Sequence, residues 1–326
     1  MRVCITGGTG FLGRALVRRL LDEGAPIRVL ARPSRSADEL EARGAEVVRG
    51  ELSDAKSVES AVKGTDIVYH SAAKVDSPGS KTEFLETNVG GTERVLMACL
   101  QQGVSRVIYM SSLAVYGPVR NGQRIDEDTP LDEAPELRDF YSHSKILADE
   151  FAASFARKTG LPVVIIRPGI VYGPSKPLPL GLLGFRLGKV NIVLGNRNRR
   201  VPLNYIENLI DAVQLATNLK GERLRQFNVV DDDDLTLAQY HETRTEVEKK
   251  PALFFPGSPL LLAAPFVRAV THVLPRRESN NFSQYHLKRA LQDRWYDTRR
   301  IREETGWAPK VQLREAVQRT LRPIDG

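Results

Sequence analysis

The sequence predicts an α/β protein with a doubly wound parallel sheet and a smaller C-terminal lobe. Short apolar runs rich in Val and Ile alternate with longer amphipathic stretches, which is typical of a parallel sheet covered by helices on both faces. The alternation breaks after Pro174, and the chain is rich in Pro, Gly and Arg up to residue 200. We therefore expect residues 1–174 plus about 201–230 to form the large lobe, and about 175–200 plus 231–326 the small one.

The apolar runs of the large lobe are predicted to be its strands. In chain order they are Arg2–Thr6, Ile27–Leu30, Glu46–Val48, Ile67–His70, Arg106–Met110, Val163–Ile166 and Gln226–Val230. The stretches between them carry helix end signals. Asp54 stands where an N-cap is expected, and Gly103 and Gly160 stand where a left-handed residue ends a helix.

Two further helices are predicted after the break. One spans Tyr205–Asn218, and the other begins near Thr236, which has capping-box spacing to Gln239. The run Asp231–Asp234 lies just before the second helix. We interpret this run as a solvated turn that places negative charge at a helix N-terminus, in preference to a metal site.

Composition excludes several classes of protein. Hydrophobic residues make up 41% of the 326 residues, enough for one large core and a smaller second one, which excludes a disordered chain. The net charge is +7, but basic and acidic residues are mixed along the chain and aromatic residues are only 7%, so we expect no nucleic-acid partner. Cys4 and Cys99 lack partners at metal-ligand spacing, so we expect neither a structural metal nor a disulfide framework.

The apolar runs also bear on localisation. No run reaches the roughly 18 apolar residues that suggest a membrane-spanning helix. The first apolar run begins at Val3, which leaves no room for a signal peptide. We therefore expect a cytoplasmic protein.

A glycine-rich turn, residues 6–13, joins the first predicted strand to the first helix. In this context Gly7 permits a tight turn, Gly10 lets the backbone approach a pyrophosphate, and Gly13 permits close packing of the helix on the strand. The helix N-terminus would present free N–H groups and partial positive charge to the phosphates. The large lobe is therefore predicted to be a dinucleotide-binding Rossmann domain.

The end of the second strand bears on the choice of cofactor. NAD-binding domains usually place a carboxylate there for the ribose 2′-hydroxyl, whereas this chain has Arg32. An arginine can contact a 2′-phosphate, so we favour NADP, with NAD as the alternative.

Three residues have the chemistry of a proton-transfer site. Tyr141 and Lys145 are one helical turn apart, so the ammonium lies on the same face as the phenol and stabilises its phenolate form. A phenol in this setting can donate or accept a proton near neutral pH. Ser112 follows a strand at its carboxyl end, where its hydroxyl can hydrogen-bond a substrate oxygen.

Taken with the glycine turn, these residues resemble the extended short-chain dehydrogenase/reductases, the NAD(P)-dependent epimerase/dehydratase superfamily. The likeness is nearest to the 3β-hydroxysteroid dehydrogenase and dihydroflavonol reductase branch. Further segments match motifs of the family along most of the chain: Glu51–Asp54, His70–Ala73, Asn88–Thr92, Arg167–Pro174 and Gly306–Pro309.

The resemblance implies which residues bind the cofactor and the substrate. Ser112, Tyr141 and Lys145 are the expected catalytic residues, and Lys145 is also expected to hold the nicotinamide ribose. The expected cofactor set is Gly7, Thr9, Gly10, Phe11, Leu12, Gly13, Arg32, Glu51, Leu52, Ala72, Ala73, Lys74, Asn88, Tyr141, Lys145, Pro168 and Ile170. Tyr116, Tyr172 and Arg200 are expected to contact the substrate. The family also implies a homodimer formed by two helices of the nucleotide lobe.

Two chemistries remain open for this site. The first is interconversion of a ketone and a secondary alcohol, which Arg32, the 167–169 hinge and the apolar segment 259–274 favour. The second is epimerisation or dehydration of a nucleotide sugar. The chain length and the arginines at 197, 199 and 200 favour it. Such epimerases usually carry an Arg-Asp pair where this chain has Val201 and Pro202, so we favour the first.

A non-catalytic cofactor sensor is a third alternative. A sensor is expected to lack Tyr141 or Lys145, and both are present. An enzyme is therefore favoured over a sensor.

The segment 259–274 bears on the substrate, because apolar residues fall on nearly every face of a helix drawn through it. A plain core helix and a helix that contacts a substrate, a membrane surface or a second subunit are both open, and we favour the contacting helix. We expect an apolar substrate of steroid, isoprenoid, flavonoid or acyl type, and a peripheral membrane contact through residues 259–277.

Overall fold

The computed structural model describes residues 1–75, 78–176, 184–221, 223–256 and 291–322. The strands are β1 (Val3–Thr6), β2 (Ile27–Ala31), β3 (Glu46–Arg49), β4 (Ile67–His70), β5 (Arg106–Met110), β6 (Arg124–Ile125), β7 (Val163–Pro168), β8 (Ile170–Tyr172), β9 (Gly184–Leu187), β10 (Val190–Leu194), β11 (Leu203–Tyr205), β12 (Leu224–Val229), β13 (Ala252–Phe255) and β14 (Trp295–Tyr296).

The α-helices are α1 (Phe11–Asp22), α2 (Arg35–Ala42), α3 (Ala55–Val62), α4 (Lys81–Leu85), α5 (Gly91–Gln101), α6 (Phe140–Thr159), α7 (Ile206–Thr217), α8 (Leu237–Glu248), α9 (Arg299–Thr305) and α10 (Leu313–Leu321). A π-helical turn, Glu86–Gly90, joins α4 to α5.

The central sheet has seven parallel strands in the order β3-β2-β1-β4-β5-β7-β12. The strand order reverses direction between β1 and β4, which confirms the predicted doubly wound sheet. In such sheets a ligand binds outside the carboxyl ends of the strands at the point of reversal. The observed β7 continues to Pro168, two residues beyond the prediction, because its last residues pair with Asn228 and Val229 of β12.

The two faces of this sheet belong to two separate cores, because side chains alternate between the faces along each strand. On β5, Ile108 and Met110 belong to one core, whereas Val107 and Tyr109 belong to the other. Tyr69 on β4 lies in the same core as Ile108. Tyr69 and Tyr109 are therefore buried on opposite faces of adjacent strands.

A second sheet has β10 at its centre, antiparallel to β9 and parallel to β13. One of its faces includes Phe185 and Leu187 of β9 and Leu253 and Phe255 of β13, which are 51%, 67%, 49% and 47% exposed. Large apolar side chains with this much exposure on one face are rare in isolated domains.

Predicted helix ends are confirmed where the prediction rests on local chemistry. The Asp54 carboxylate accepts hydrogen bonds from the backbone N–H groups of Lys56 and Ser57. Gly160 ends α6 in the left-handed conformation, with φ of 75°. Thr236 and Gln239 form the predicted capping box.

The interpretation of Asp231–Asp234 as a solvated turn is wrong for part of the run. The Asp231 carboxylate accepts hydrogen bonds from the Tyr205 backbone N–H at 2.7 Å and from the side chains of Asn204 and Asn208. Asp233 accepts one from the Thr298 hydroxyl at 2.6 Å. Arg200 also pairs with Asp234 at 3.0 Å, so residues from other parts of the chain bind three of the four aspartates.

The C-terminal segment is anchored on α7 through one asparagine. The backbone carbonyl of Asn208 accepts a hydrogen bond from the Trp307 indole at 3.0 Å, and its side-chain oxygen accepts one from the Val311 N–H at 2.9 Å. Trp307 is buried against the main core.

Among the described helices, none is long and apolar enough to cross a membrane. The segment 259–277 lies outside the described residues.

Candidate active site

The glycine turn between β1 and α1 has the close contacts that its motif requires. Gly7 has φ of +77°, and a Cβ on it would lie 2.6 Å from the backbone nitrogen of Ala72. A Cβ on Gly13 would lie 2.1 Å from the Gly7 carbonyl oxygen. Gly10 is the N-cap of α1, and no side chain caps this helix start. The backbone N–H groups of the first turn of α1 are therefore available to an anion. The turn therefore fits a dinucleotide pyrophosphate.

A cleft of about 520 Å³ opens beside this turn, and its volume is typical of small-molecule sites. Its wall includes nine residues of the predicted cofactor set: Gly7, Thr9, Gly10, Arg32, Glu51, Leu52, Ala72, Ala73 and Lys74. The rest of that set does not line it: Phe11, Leu12, Gly13, Asn88, Tyr141, Lys145, Pro168 and Ile170. The cleft therefore follows the ends of β1 to β4.

Ser111 and Ser112 follow β5 and have different surroundings. Ser111 is buried, and its hydroxyl donates to the Asp149 carboxylate at 2.5 Å. Ser112 is half-buried, and its hydroxyl oxygen accepts from the Ala114 N–H at 3.1 Å, which leaves its proton to donate. This geometry supports the choice of Ser112 over Ser111 as the residue that contacts a substrate oxygen.

Helix α6 carries the other two expected catalytic residues. It begins after Asp139, whose carboxylate accepts from the Ser142 N–H at 2.8 Å and fixes the start of the helix. Tyr141 in the first turn is half-buried, and Lys145 in the next turn is buried.

The Lys145 ammonium reaches the carboxyl end of β5. Its Nζ donates to the Met110 carbonyl at 2.6 Å and to the Tyr109 hydroxyl at 3.0 Å. Burial lowers the pKa of Lys145 to about 7, and the Asp149 carboxylate opposes part of that shift. The Lys145 ammonium and Ser112 therefore both lie at the carboxyl end of β5.

Asn88 occupies the π-helical turn and links two parts of the site. Its side-chain oxygen accepts from the Lys74 N–H at 2.7 Å, and its amide donates to the Ser144 hydroxyl at 2.8 Å. Ser144 in turn donates to the Tyr141 carbonyl at 2.8 Å. Single π-helical turns are frequent at functional sites. Asn88 thus ties a cleft wall to the helix of Tyr141.

A buried ion pair behind the site was missed by the sequence analysis. Arg167 Nη2 lies 2.7 Å from Asp149 Oδ1 and its Nε lies 3.0 Å from Oδ2, a bidentate pair. This pair joins α6 to β7. The one signal in the sequence is that Asp149 follows Lys145 by one helical turn, which places both on one face of α6.

The three residues expected to contact the substrate all have partners within the protein. Tyr116 is fully buried, and its hydroxyl lies 2.8 Å from both Asn228 Oδ1 and Arg167 Nη1. Tyr172 is buried edge-on against Tyr205.

Arg200 is already bound by acidic side chains. It pairs with Asp293 at 2.7 Å and with Asp234 at 3.0 Å, so its charge is already neutralised. Residues distant in sequence supply these partners, which local patterns do not predict.

Comparison with known proteins identifies the family. The model of the NAD dependent epimerase/dehydratase family matches residues 3–229. The 2-alkyl-3-oxoalkanoate reductase of Shewanella oneidensis is 26% identical over 97% of this chain and 84% of its own length. The 3 beta-hydroxysteroid dehydrogenase/Delta 5→4-isomerase of Mycobacterium tuberculosis is 32% identical over 66% of this chain and 60% of its own length.

Solved structures agree with this match over nearly the whole chain. The structure of gox2253 covers 98% of this chain and 96% of its own, with a TM-score of 0.81 and 25% identity. A UDP-glucose 4-epimerase of Thermotoga maritima covers 98% of this chain and 97% of its own, with a TM-score of 0.72. At 22% identity, the epimerase likeness is evidence for the fold alone.

Proposed function

Because the chain belongs to the NAD dependent epimerase/dehydratase family, we propose that it is an NAD(P)-dependent oxidoreductase that interconverts a ketone and a secondary alcohol. The observation that carries the proposal is the position of the Lys145 ammonium, 2.6 Å from the Met110 carbonyl at the end of β5. Ser112 follows on the same strand end, and Tyr141 precedes Lys145 by one helical turn.

Each of these residues has a separate role in the proposed reaction. Ser112 donates a hydrogen bond to the substrate oxygen, and Tyr141 gives its phenolic proton to that oxygen in reduction or takes it in oxidation. The Lys145 ammonium stabilises the phenolate form of Tyr141. When bound, the nicotinamide cofactor supplies or accepts the hydride. The glycine turn, Arg32 and the cleft walls would hold it.

Oxidoreduction is favoured over nucleotide-sugar epimerisation by the arginines that a sugar diphosphate would need. Arg200 is neutralised by Asp234 and Asp293, Arg197 is paired with Glu242, and Arg199 is buried. The reductase and dehydrogenase names of the relatives support the same reading and an apolar substrate.

The proposed cofactor preference is NADP over NAD. Arg32 lies exposed on the cleft wall at the end of β2, where a guanidinium can pair with a 2′-phosphate. The residues that follow it, Pro33, Ser34 and Arg35, include no carboxylate that would repel this phosphate.

The proposed partners beyond the substrate are a second copy of the chain and a membrane surface. Met97 and Leu100 are 45% and 41% exposed one turn apart on α5, which supports a homodimer through the helices of the nucleotide lobe. The exposed apolar face of the β9-β10-β13 sheet carries Lys189 in its hairpin turn, which supports peripheral contact with an anionic membrane. Light scattering would measure whether the chain forms a homodimer.

The function is tested with a panel of substrates under identical NADPH and NADP conditions. We expect stoichiometric cofactor consumption with a steroid, isoprenoid, flavonoid or acyl ketone. Tyr141→Phe should lower turnover about a hundredfold to ten-thousandfold and leave cofactor affinity nearly unchanged. Conversion of a nucleotide sugar without net cofactor consumption, or turnover of Tyr141→Phe within about threefold of the unmodified protein, would contradict the proposal.

A further inference from the structure

A buried polar cluster lies behind the Lys145 ammonium, on the side away from solvent. It contains Tyr109 on β5, Thr92 on α5, His70 on β4 and Thr6 on β1, and each is no more than 1% exposed. His70 stacks on the Tyr109 ring, with the ring centroids 5.6 Å apart. The cluster therefore spans three neighbouring strands of the sheet and the helix that covers them.

Tyr109 and Thr92 each make hydrogen bonds through their hydroxyl groups. The Tyr109 hydroxyl lies 3.0 Å from Lys145 Nζ. Thr92 Oγ1 lies 2.9 Å from His70 Nε2 and 2.6 Å from the Asn88 carbonyl.

At its far end the cluster reaches the glycine turn. His70 Nδ1 lies 2.7 Å from the hydroxyl of Thr6, the residue just before Gly7. Hydrogen bonds thus join Lys145 to Tyr109, and Thr92 to the glycine turn through His70, while the stacking of His70 on Tyr109 connects the two parts.

The donor and acceptor roles along this chain follow from chemistry. An ammonium only donates, so the Tyr109 oxygen accepts from Lys145. The Asn88 carbonyl only accepts, so the Thr92 proton points there. Thr92 Oγ1 must then accept from His70, which fixes the proton of His70 on Nε2.

The far end of the chain follows from the same reasoning. His70 Nδ1 accepts from the Thr6 hydroxyl. Burial lowers the pKa of His70 to about 3, in agreement with a neutral ring. The side-chain protons of Thr92, His70 and Thr6 therefore each point to one defined acceptor.

From this geometry we propose that Tyr109 is a positioning residue for Lys145. The ring of His70, which is hydrogen-bonded to Thr92, stacks on Tyr109 and holds it so that its phenol oxygen fixes the ammonium at the end of β5. This inference rests on the proposed function, in which Lys145 meets Tyr141 and the cofactor. Burial raises the pKa of Tyr109 well above that of a free tyrosine, so the phenol stays neutral and accepts throughout the working pH range.

Removal of the Tyr109 hydroxyl should affect the charge of Lys145. The titratable or charged groups around this ammonium are Tyr109 of β5, His70 of β4, Asp149 and Tyr141 of α6, and Arg167 of β7, which is paired with Asp149. Of these, only Tyr109 donates or accepts at Nζ directly in the described contacts. Without its oxygen the buried ammonium keeps only the Met110 carbonyl, so the neutral amine is favoured at lower pH.

The test compares Tyr109→Phe with Tyr69→Phe. Tyr69 is an equally buried tyrosine on the opposite face of the sheet, with its hydroxyl near Thr217. Both variants lose one buried hydroxyl, but only the first loses a partner of Lys145. NADPH binding to the substrate-free protein, followed by fluorescence from pH 5.5 to 9, reports on Lys145 without any turnover.

We expect NADPH affinity of the unmodified protein and of Tyr69→Phe to begin to fall near pH 7, where Lys145 loses its proton. In Tyr109→Phe the fall should begin about one pH unit lower, because a hydrogen bond to a charged group is lost. Affinity at pH 7.5 should then be about tenfold weaker. The 2′-phosphate of NADPH titrates in all three proteins, so the difference between them belongs to Lys145.

A second pair of variants covers a failure of Tyr109→Phe to fold. Thr92→Val removes the hydroxyl that accepts from His70, the ring stacked on Tyr109, whereas Thr92→Ser keeps a hydroxyl there. In Thr92→Val the fall in NADPH affinity should begin at a lower pH than in the unmodified protein, by a smaller shift than in Tyr109→Phe. Thr92→Ser should have the profile of the unmodified protein. Equal profiles for Tyr109→Phe and Tyr69→Phe, or no rescue by Thr92→Ser, would overturn the inference. Failure to turn over any ketone would instead count against the proposed function, since binding is measured without substrate.

Discussion

At the scale of single residues, neighbours with the same chemistry have different partners at the end of β5. Ser111 is bound by the buried Asp149 carboxylate, whereas Ser112 keeps a proton to donate at a half-buried position. Successive residues of an extended chain point to opposite sides. The alternation of side chains along the chain therefore decides which of the two serines keeps a proton to donate.

Arg32 allows a residue-scale prediction on cofactor choice. Arg32→Ala removes a guanidinium from the cleft wall, so NADPH affinity should fall by about an order of magnitude while NADH affinity stays the same. Calorimetric titration of both cofactors measures this. Arg35→Ala is the matched control, because Arg35 is exposed and paired with Glu39 on the surface of α2. Tighter binding of NADH than of NADPH by the unmodified protein would refute the preference.

At the scale of elements, α6 is the part of the chain that assembles the site. Tyr141, Lys145 and Asp149 follow one another at intervals of four residues, so they share one face of the helix. Asp139 fixes the first turn and Gly160 ends the helix. Lys145 and Asp149 hold this face of α6 against the ends of β5 and β7, through the Met110 carbonyl and Arg167.

The Asp149–Arg167 pair allows a prediction at this scale. Asp149→Asn leaves the buried Arg167 charge without its counter-ion, so the free energy of unfolding should fall by about 3–5 kcal/mol. Urea denaturation monitored by circular dichroism measures it. Glu150→Gln is the matched control at the next, exposed position, where we expect a change within about 0.5 kcal/mol. Equal stability of the two variants would show that the pair does not hold α6 to β7.

At the scale of the whole molecule, the described part of the chain has a polar cleft on its central sheet and an apolar surface on its second sheet. The cleft lies at the carboxyl ends of β1 to β4, where the topology reverses. The apolar surface comprises the exposed side chains of β9 and β13. Cofactor and apolar partners are thus expected to meet different parts of the protein.

The apolar surface allows a prediction on membrane contact. The protein should sediment with vesicles that contain phosphatidylserine, and less so at high salt. Phe185→Ser combined with Leu187→Ser should reduce the bound fraction several-fold, because both side chains are exposed on β9. Leu215→Ser on α7, also exposed, is the control and should bind like the unmodified protein. If the double variant changes the molecular mass in light scattering and not the vesicle binding, the surface is an interface between copies.

The sequence by itself determined the seven strands of the central sheet, its doubly wound class and the glycine turn between β1 and α1. These depend on short-range patterns: runs of apolar residues mark strands, and glycine is required where a turn needs positive φ or where a side chain would meet the backbone. Gly7 and Gly13 contact each other across the same turn, so their spacing alone was informative. The Tyr141 and Lys145 pair was predictable for the same reason, because one helical turn fixes their distance.

Only the tertiary structure decided which polar side chains are free to act. Tyr109 meets Lys145 across 36 positions of the sequence, and Arg200 meets Asp293 across 93. Tyr116 was expected at the substrate, yet packing of β12 and β7 places it among Asn228 and Arg167. The type of a residue limits which hydrogen bonds and ion pairs its side chain can make, but the fold determines which distant partner lies within reach. That choice depends on the long-range arrangement of strands and helices, which no local pattern contains.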